Sequence, residues 1–283
     1  LVETATHPET RGIELVGDGE RHGRARDLVL VWAAPGVSIL NLTVGATLVL
    51  IGLEPWQAIL LVLVASLLWA LPGLVAASGP AAGTSGSVIS RAMYGVRGNR
   101  AFVAVVGWFI GAVFLGLGWL ASSFMGADVL RRMGLDDPIW TPLAVTLVVS
   151  TITVLVSIVG HGLILRVFPW LAGILLVIFV AVSASIMPSV DWSYRSPAPL
   201  EGVALVSALS IGFAILASTP LSFINSPDIA RYLPRSTAPW RIAVATAVGG
   251  AVPSAVFSVV GVLLATALDP AAVAGGIDAA IFD

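Results

Sequence analysis

The sequence predicts an all-α polytopic membrane protein, and three observations carry that prediction. Of the 283 residues, 58% are hydrophobic and only 11% charged, where a soluble domain carries about a quarter. The apolar residues fall in runs of roughly 20, the length that crosses the hydrocarbon layer. The basic residues, all arginine, gather in alternate connecting segments. The net charge of −2 speaks against a nucleic-acid partner, and with no cysteine there is no thiol or disulfide chemistry. His7, His22 and His161 lie too far apart to suggest a metal site. The spans show no catalytic acid, histidine or metal ligand, so neither an enzyme nor a resident cofactor is expected.

Residues 1–27 are polar, carry both charge signs and read as a cytoplasmic tail. Spans are expected at about 28–52, 57–78, 101–125, 140–160, 164–187, 203–225 and 241–268. With the N-terminus inside, the inner segments hold Arg11, Arg21, Arg24, Arg26, Arg91, Arg97, Arg100, Arg166, Arg231, Arg235 and Arg241. The outer loops hold Arg131, Arg132 and Arg195. Eleven against three follows the positive-inside rule, implies a multi-pass protein of the plasma membrane, and puts Asp283 outside.

The first and sixth spans share a feature. In the first, Pro35-Gly36 interrupts an apolar run and is followed by Ser38, Asn41 and Thr43. In the sixth, Ser218-Thr219-Pro220 is expected to break the helix near its middle, with Ser222 nearby. Proline removes a backbone donor and clashes with the preceding turn. In hydrocarbon, the freed carbonyl needs another helix, a hydroxyl or a polar cavity. The bland alternative is a kink whose hydroxyls bond back to their own helix. Broken helices at matching positions point to a transporter of two inverted repeats with its site at the breaks. The two are five spans apart, so the repeats have opposite orientation. Residues 28–187 form the first repeat and 188–283 begin the second. No span has an acidic residue near its middle, which disfavours a proton relay. Gly249-Gly250 and Pro253 make the seventh span flexible or closely packed.

The loop after the second span contains Gly79-Pro80 and then Ser90-Arg91-Ala92, Tyr94-Gly95 and Arg97-Gly98-Asn99. With Glu20-Arg21-His22-Gly23, Gly107-Trp108-Phe109 and Pro227-Asp228-Ile229-Ala230-Arg231-Tyr232-Leu233-Pro234, it resembles the purine–cytosine permease family of nucleobase–cation symporters. The resemblance covers essentially the whole chain. It implies an inverted-repeat fold of the amino acid–polyamine–cation type, of which about seven of about twelve spans are present. It also implies secondary transport of a nucleobase or related heterocycle: cytosine, a purine, uracil, allantoin or hydantoin.

By the same resemblance, Trp108 stacks on the flat heterocycle. Ala112, one turn on, departs from the amide common in the family. Gly36, Ser38, Ser218, Thr219 and Ser222 line the substrate site. The backbone carbonyls of Ala33 and Gly36 hold a sodium ion, the coupling ion favoured over a proton. From the residues themselves, Asp228 is expected to pair with Arg231 or Arg91 as a latch at the cytoplasmic gate. Taken from the residues alone, Trp108 is equally a packing tryptophan, one of nine. Asn41 is either a helix–helix contact or a cavity residue, and Asp228 either a latch or a solvated charge. An amino-acid or thiamine-type permease of the same fold is the alternative. Amino-acid carriers use backbone amides at the first break to hold a carboxylate, and Pro35 supplies none.

Overall fold

The computed structural model describes residues 12–268 apart from Asp136, Gly160 and Ile224. The expectations for His7, Arg11 and Asp283 lie outside the described residues. Helices account for all the regular structure described. In chain order they are α1 (Asp27–Gly36), α2 (Ile39–Leu50), α3 (Pro55–Ser66), α4 (Ala70–Ala76), α5 (Gly79–Ala82), α6 (Gly86–Ile89) and α7 (Arg91–Gly98). A π-helical stretch, Asn99–Ala104, leads into α8 (Val105–Arg132). Then come α9 (Trp140–Val159), α10 (His161–Ile186), α11 (Gly202–Ser222), α12 (Pro227–Ala230) and α13 (Pro239–Ala265). Among the described residues, six helical spans are long and apolar enough to cross a membrane, or seven when α1 and α2 count as one bent span. The described residues are therefore those of a multi-pass membrane protein, with the seven expected spans matched when the bent pair counts as one.

The break in the first span is present. α1 and α2 meet at 54°, with Val37 at φ −84°, ψ 80° and Ser38 fully extended. The sixth span differs from expectation. α11 runs unbroken through Ser218, Thr219 and Pro220 to Ser222, a rise of about 30 Å over 21 residues. The chain leaves the helix at Phe223, at the C-terminal end of α11 and not near its middle. Pro220 sits in the last turn, where its missing N–H removes one intrahelical bond, to the Leu216 carbonyl, without splitting the helix. Phe223 N–H closes that turn on the Pro220 carbonyl at 3.3 Å. The hydroxyls behave as the bland reading had it: Ser218 donates to Ile215 O (2.6 Å) and Ser222 to Thr219 O (2.7 Å).

The chain divides into two compact units. One holds Ser85–Arg166 with the first residues; the other holds Val16–Thr84 and Val167 onward. In the first, α8 and α9 pack as a hairpin. Gly126 leaves room for Val145, and Ser123 donates to Pro142 O at 2.9 Å. Its loop motif closes on itself: Ser90 donates to Asn99 Oδ1 (2.6 Å), and Asn99 Nδ2 donates to Ser87 O (2.7 Å). Gly95, at φ +65°, makes the turn between them.

In the second unit, α13 is the central post. It packs against α1, α2, α3 and α4, while α11 closes against α2 and α3. The contact with α2 is backbone to backbone. A Cβ on Gly45 would overlap the Ser258 carbonyl, and one on Gly261 would overlap the Leu42 carbonyl. Gly250 takes the ring of Trp69 in the same way. Small residues permit this approach, which replaces the hydrophobic drive that lipid does not supply. At the other end of α13, the 187–201 loop is tied down. Ser196 N–H donates to Glu54 Oε1 (3.0 Å), and Asp191 N–H to Thr266 Oγ1 (3.2 Å). Ser193 donates twice to the Asp191 carboxylate and holds its pKa below the usual value.

Gly261→Ala is expected to destabilise the protein by about 1–3 kcal/mol, because the opposing atom is backbone and cannot swing aside. Gly111→Ala, with open space at its Cβ, is expected to change little. Thermal unfolding of the two variants of the full-length protein checks this.

Candidate functional site

Where α2 begins after the break, its first turn faces α3, α11 and α13 across a small cavity. Its walls are Leu40 and Asn41 of α2, Ser66 and Trp69 of the second span, Thr219 and Pro220 of α11, and Ser254 and Ser258 of α13. Its free volume is about 30 Å³, space for a water or two and too little for a purine or pyrimidine ring. The lining carries no charge. It offers one amide and four hydroxyls on an apolar wall, a pattern suited to orienting a neutral polar ligand. Ser254 and Ser258 are four apart and so share one face of α13.

The break supplies the polar atoms on one side. Gly36 O accepts from Asn41 Nδ2 at 2.7 Å and from Ser38 N–H at 3.1 Å. Asn41 Nδ2 also lies 3.4 Å from Ser38 Oγ. Ala33 O accepts from Val37 N–H at 3.1 Å. Both carbonyls assigned to a cation thus have donors, and Asn41 is the residue that covers the break. Gly36 itself fits against α13, where a Cβ would come within 2.9 Å of Pro253.

Of the residues singled out in the sequence, Thr219 lines the cavity beside Asn41. Gly36 and Ser38 stand one step away through that amide, while Ser218 and Ser222 spend their protons on their own helix. Trp108 belongs to α8 in the other unit and is 73% exposed. Beside the cavity, Trp32 and Trp69 are buried and pack with Phe223. Trp32 meets Phe223 edge-on at 5.0 Å, and Trp69 stacks on it at 5.5 Å. This cluster joins α1, the second span and the end of α11 beside the cavity. Sequence reasoning passed over Trp69, Ser66, Ser254 and Ser258. The available signal was the i, i+4 serine pair following Pro253.

A second cluster gathers three of the sequence motifs. Arg21 is buried, its side chain 2% exposed. Its Nη1 donates to Pro80 O, and to Leu233 O at 3.5 Å; Nη2 donates to Val16 O at 3.4 Å. Asp18 pairs with it at 3.3 Å and with Arg235 at 3.2 Å. His22 N–H donates to Tyr232 O (2.7 Å), and Ser226 Oγ to Pro72 O (2.8 Å). Arg231 is also buried, its guanidinium 3.1 Å from the Tyr232 hydroxyl. Asp228 opens α12, and Arg91 opens α7 in the other unit. The segment before α1, the end of the second span and the segment after α11 are therefore pinned together by one desolvated guanidinium. Arg21→Gln is expected to lower stability by about 1.5–3 kcal/mol. Arg21→Lys is expected not to restore it, because an ammonium lacks the planar fork that reaches separated carbonyls. Thermal melts of the two variants beside the parent test both expectations.

Comparison with known proteins agrees with this architecture. The chain matches, over residues 15–280, the family described as permeases for cytosine/purines, uracil, thiamine and allantoin. It is 28% identical over 269 residues to YxlA of Bacillus subtilis (strain 168), provisionally named a purine-cytosine permease. That alignment takes in 92% of this chain and 55% of the relative, so the chain spans about half the relative's length. No solved structure matches significantly. With the match running across nearly every described residue, the chain belongs to the family of permeases for cytosine/purines, uracil, thiamine and allantoin.

Proposed function

We propose that the whole carrier, of which this chain is part, imports a nucleobase or related heterocycle by alternating access, driven by a cation gradient. The observation that carries this reading is the uncharged, hydroxyl- and amide-lined cavity where the broken first span meets Thr219 and Pro220. Nucleobases are neutral, flat and rich in donors and acceptors, so they need hydrogen bonds and a stacking face and no counter-charge. At about 30 Å³ the cavity must widen to admit a ring. Thr219 and Asn41 contact the base edge, with Gly36, Ser38, Ser218 and Ser222 around them. Trp108 supplies the stacking face, on the family pattern alone.

Sodium is the coupling ion in this reading. No carboxylate lines the cavity, and bent backbone exposes carbonyls, which suit a hard cation. The Ala33 and Gly36 carbonyls would take it, with Asn41 yielding its hold on Gly36 O as the ion enters. The Arg21 cluster, with Asp228, Arg231 and Arg91, serves as the inner gate and keeps the cytoplasmic end shut until the first span tilts. The repeats are inverted, and the N-terminus is cytoplasmic. Amino acids are the weaker reading, since the cavity offers no cation for a carboxylate.

Cells expressing the full-length gene are expected to show saturable, sodium-dependent uptake of at least one of radiolabelled cytosine, uracil, adenine, hypoxanthine or allantoin. Amino acids in excess should not compete. No uptake of any of these, with the protein present in the membrane, removes the substrate assignment; thiamine uptake instead would redirect it within the family. Thr219→Val keeps the shape and removes the hydroxyl. It should weaken apparent affinity by about five- to hundredfold. Trp108→Ala should do so by a similar factor if its ring stacks on the base.

A further inference from the structure

We propose that the groove between the approach to α1 and the first turns of α13 binds an anionic phospholipid. α1 and α13 run parallel: Gly249 touches Val29, and Gly36 touches Pro253 and Ser254. Their N-terminal ends therefore face the same side of the membrane. The groove at that end has a volume of about 780 Å³. Arg24 and Arg26, just before α1, and Arg241, in the first turn of α13, supply its charge, and Thr237 adds a hydroxyl. Deeper along the same helices the lining turns apolar, through Val29 on α1 and Val244 and Val248 on α13. Val248 lies seven residues, about 10 Å, further into the membrane than Arg241.

The charges are available. Among the described residues, the guanidinium groups of Arg24 and Arg241 have no carboxylate partner. Arg26 has Asp27 at 3.9 Å, in an exposed pair. Three arginines against one aspartate leave a surplus of positive charge. Asp27 is otherwise engaged, accepting from the Arg24 backbone N–H at 2.8 Å. Arg241 lies over the Trp240 ring at 5.4 Å, which fixes its direction; Trp240 is 64% exposed, as suits a ring at headgroup level. Ala238 leaves the N-terminus of α13 without a side-chain cap, so the positive end of a 27-residue helix opens beside the arginines.

A soluble anion would use the arginines and ignore the valines. A phosphodiester headgroup with its acyl chain uses both, in the order in which the helices present them. With the N-terminus cytoplasmic, as in the proposed orientation, the lipid comes from the inner leaflet. The site rests on the membrane-protein reading and not on transport, so the two succeed or fail separately.

The test uses the purified full-length protein in nanodiscs of equal phosphatidylglycerol and phosphatidylcholine, followed by mass spectrometry of the lipid that stays bound on release into detergent. Phosphatidylglycerol is expected to be retained over phosphatidylcholine. Arg24→Gln and Arg241→Gln should each reduce that retention about fivefold. Arg195→Gln, at a residue outside the groove, should leave it unchanged, and so should excess inorganic phosphate. Equal retention of the two lipids by the parent protein would overturn the proposal without reference to any variant. So would displacement of the lipid by phosphate, which would mark a free-anion site, or undiminished retention by a folded Arg24→Gln/Arg241→Gln protein.

Discussion

Two backbone contacts between α2 and α13 set the packing of the larger unit. Gly45 lies on the Ser258 carbonyl, and Gly261 on the Leu42 carbonyl. Lipid tails are as apolar as leucine, so burying leucine does not drive helices together in a bilayer. Close packing does, and it requires that nothing stand between the two backbones. Once α13 is set against α2 in this way, its rotation is fixed. Ser254 and Ser258 then face the cavity, Gly250 receives Trp69, and Pro253 meets Gly36.

That constraint explains how a broken helix is tolerated. The first span opens at Val37 and Ser38, and the peptide groups there cannot turn to water. Asn41, one turn beyond, donates to the Gly36 carbonyl, and the bend is packed against α13. Polar atoms collected for this purpose are also the ones a neutral ligand would use. A carrier of uncharged solutes gains from such a site. Satisfied hydrogen bonds can be exchanged for ligand hydrogen bonds at small net cost, whereas a buried unpaired charge is expensive in every ligand-free state.

Much of the architecture was legible in the chain itself. Pro35-Gly36 marked the first break because a missing N–H acts on its own helix. Thr219 was legible through its neighbour Pro220. The same rule overstated the sixth span: a proline in the last turn of α11 ends a helix without splitting it, and nothing in the sequence says where that last turn falls. The tryptophans were not separable on paper. Trp32 and Trp69 are buried beside Phe223 while Trp108 is exposed, a distinction made by neighbours distant in sequence. Serines in an apolar helix read alike whether they pack or line a cavity, so Ser254 and Ser258 went unseen.

The sequence alone determined the number of spans, their lengths and the place of the first bend. Each follows from a local cause: hydrocarbon thickness, an absent donor, a residue with no side chain. Only the tertiary structure decided that three motifs far apart in the chain form one hydrogen-bonded cluster. Arg21 reaches Leu233 across 212 residues, and Ser226 reaches Pro72 across 154. A buried donor must find an acceptor wherever packing brings one, and that meeting is a property of the folded arrangement, not of any stretch of residues.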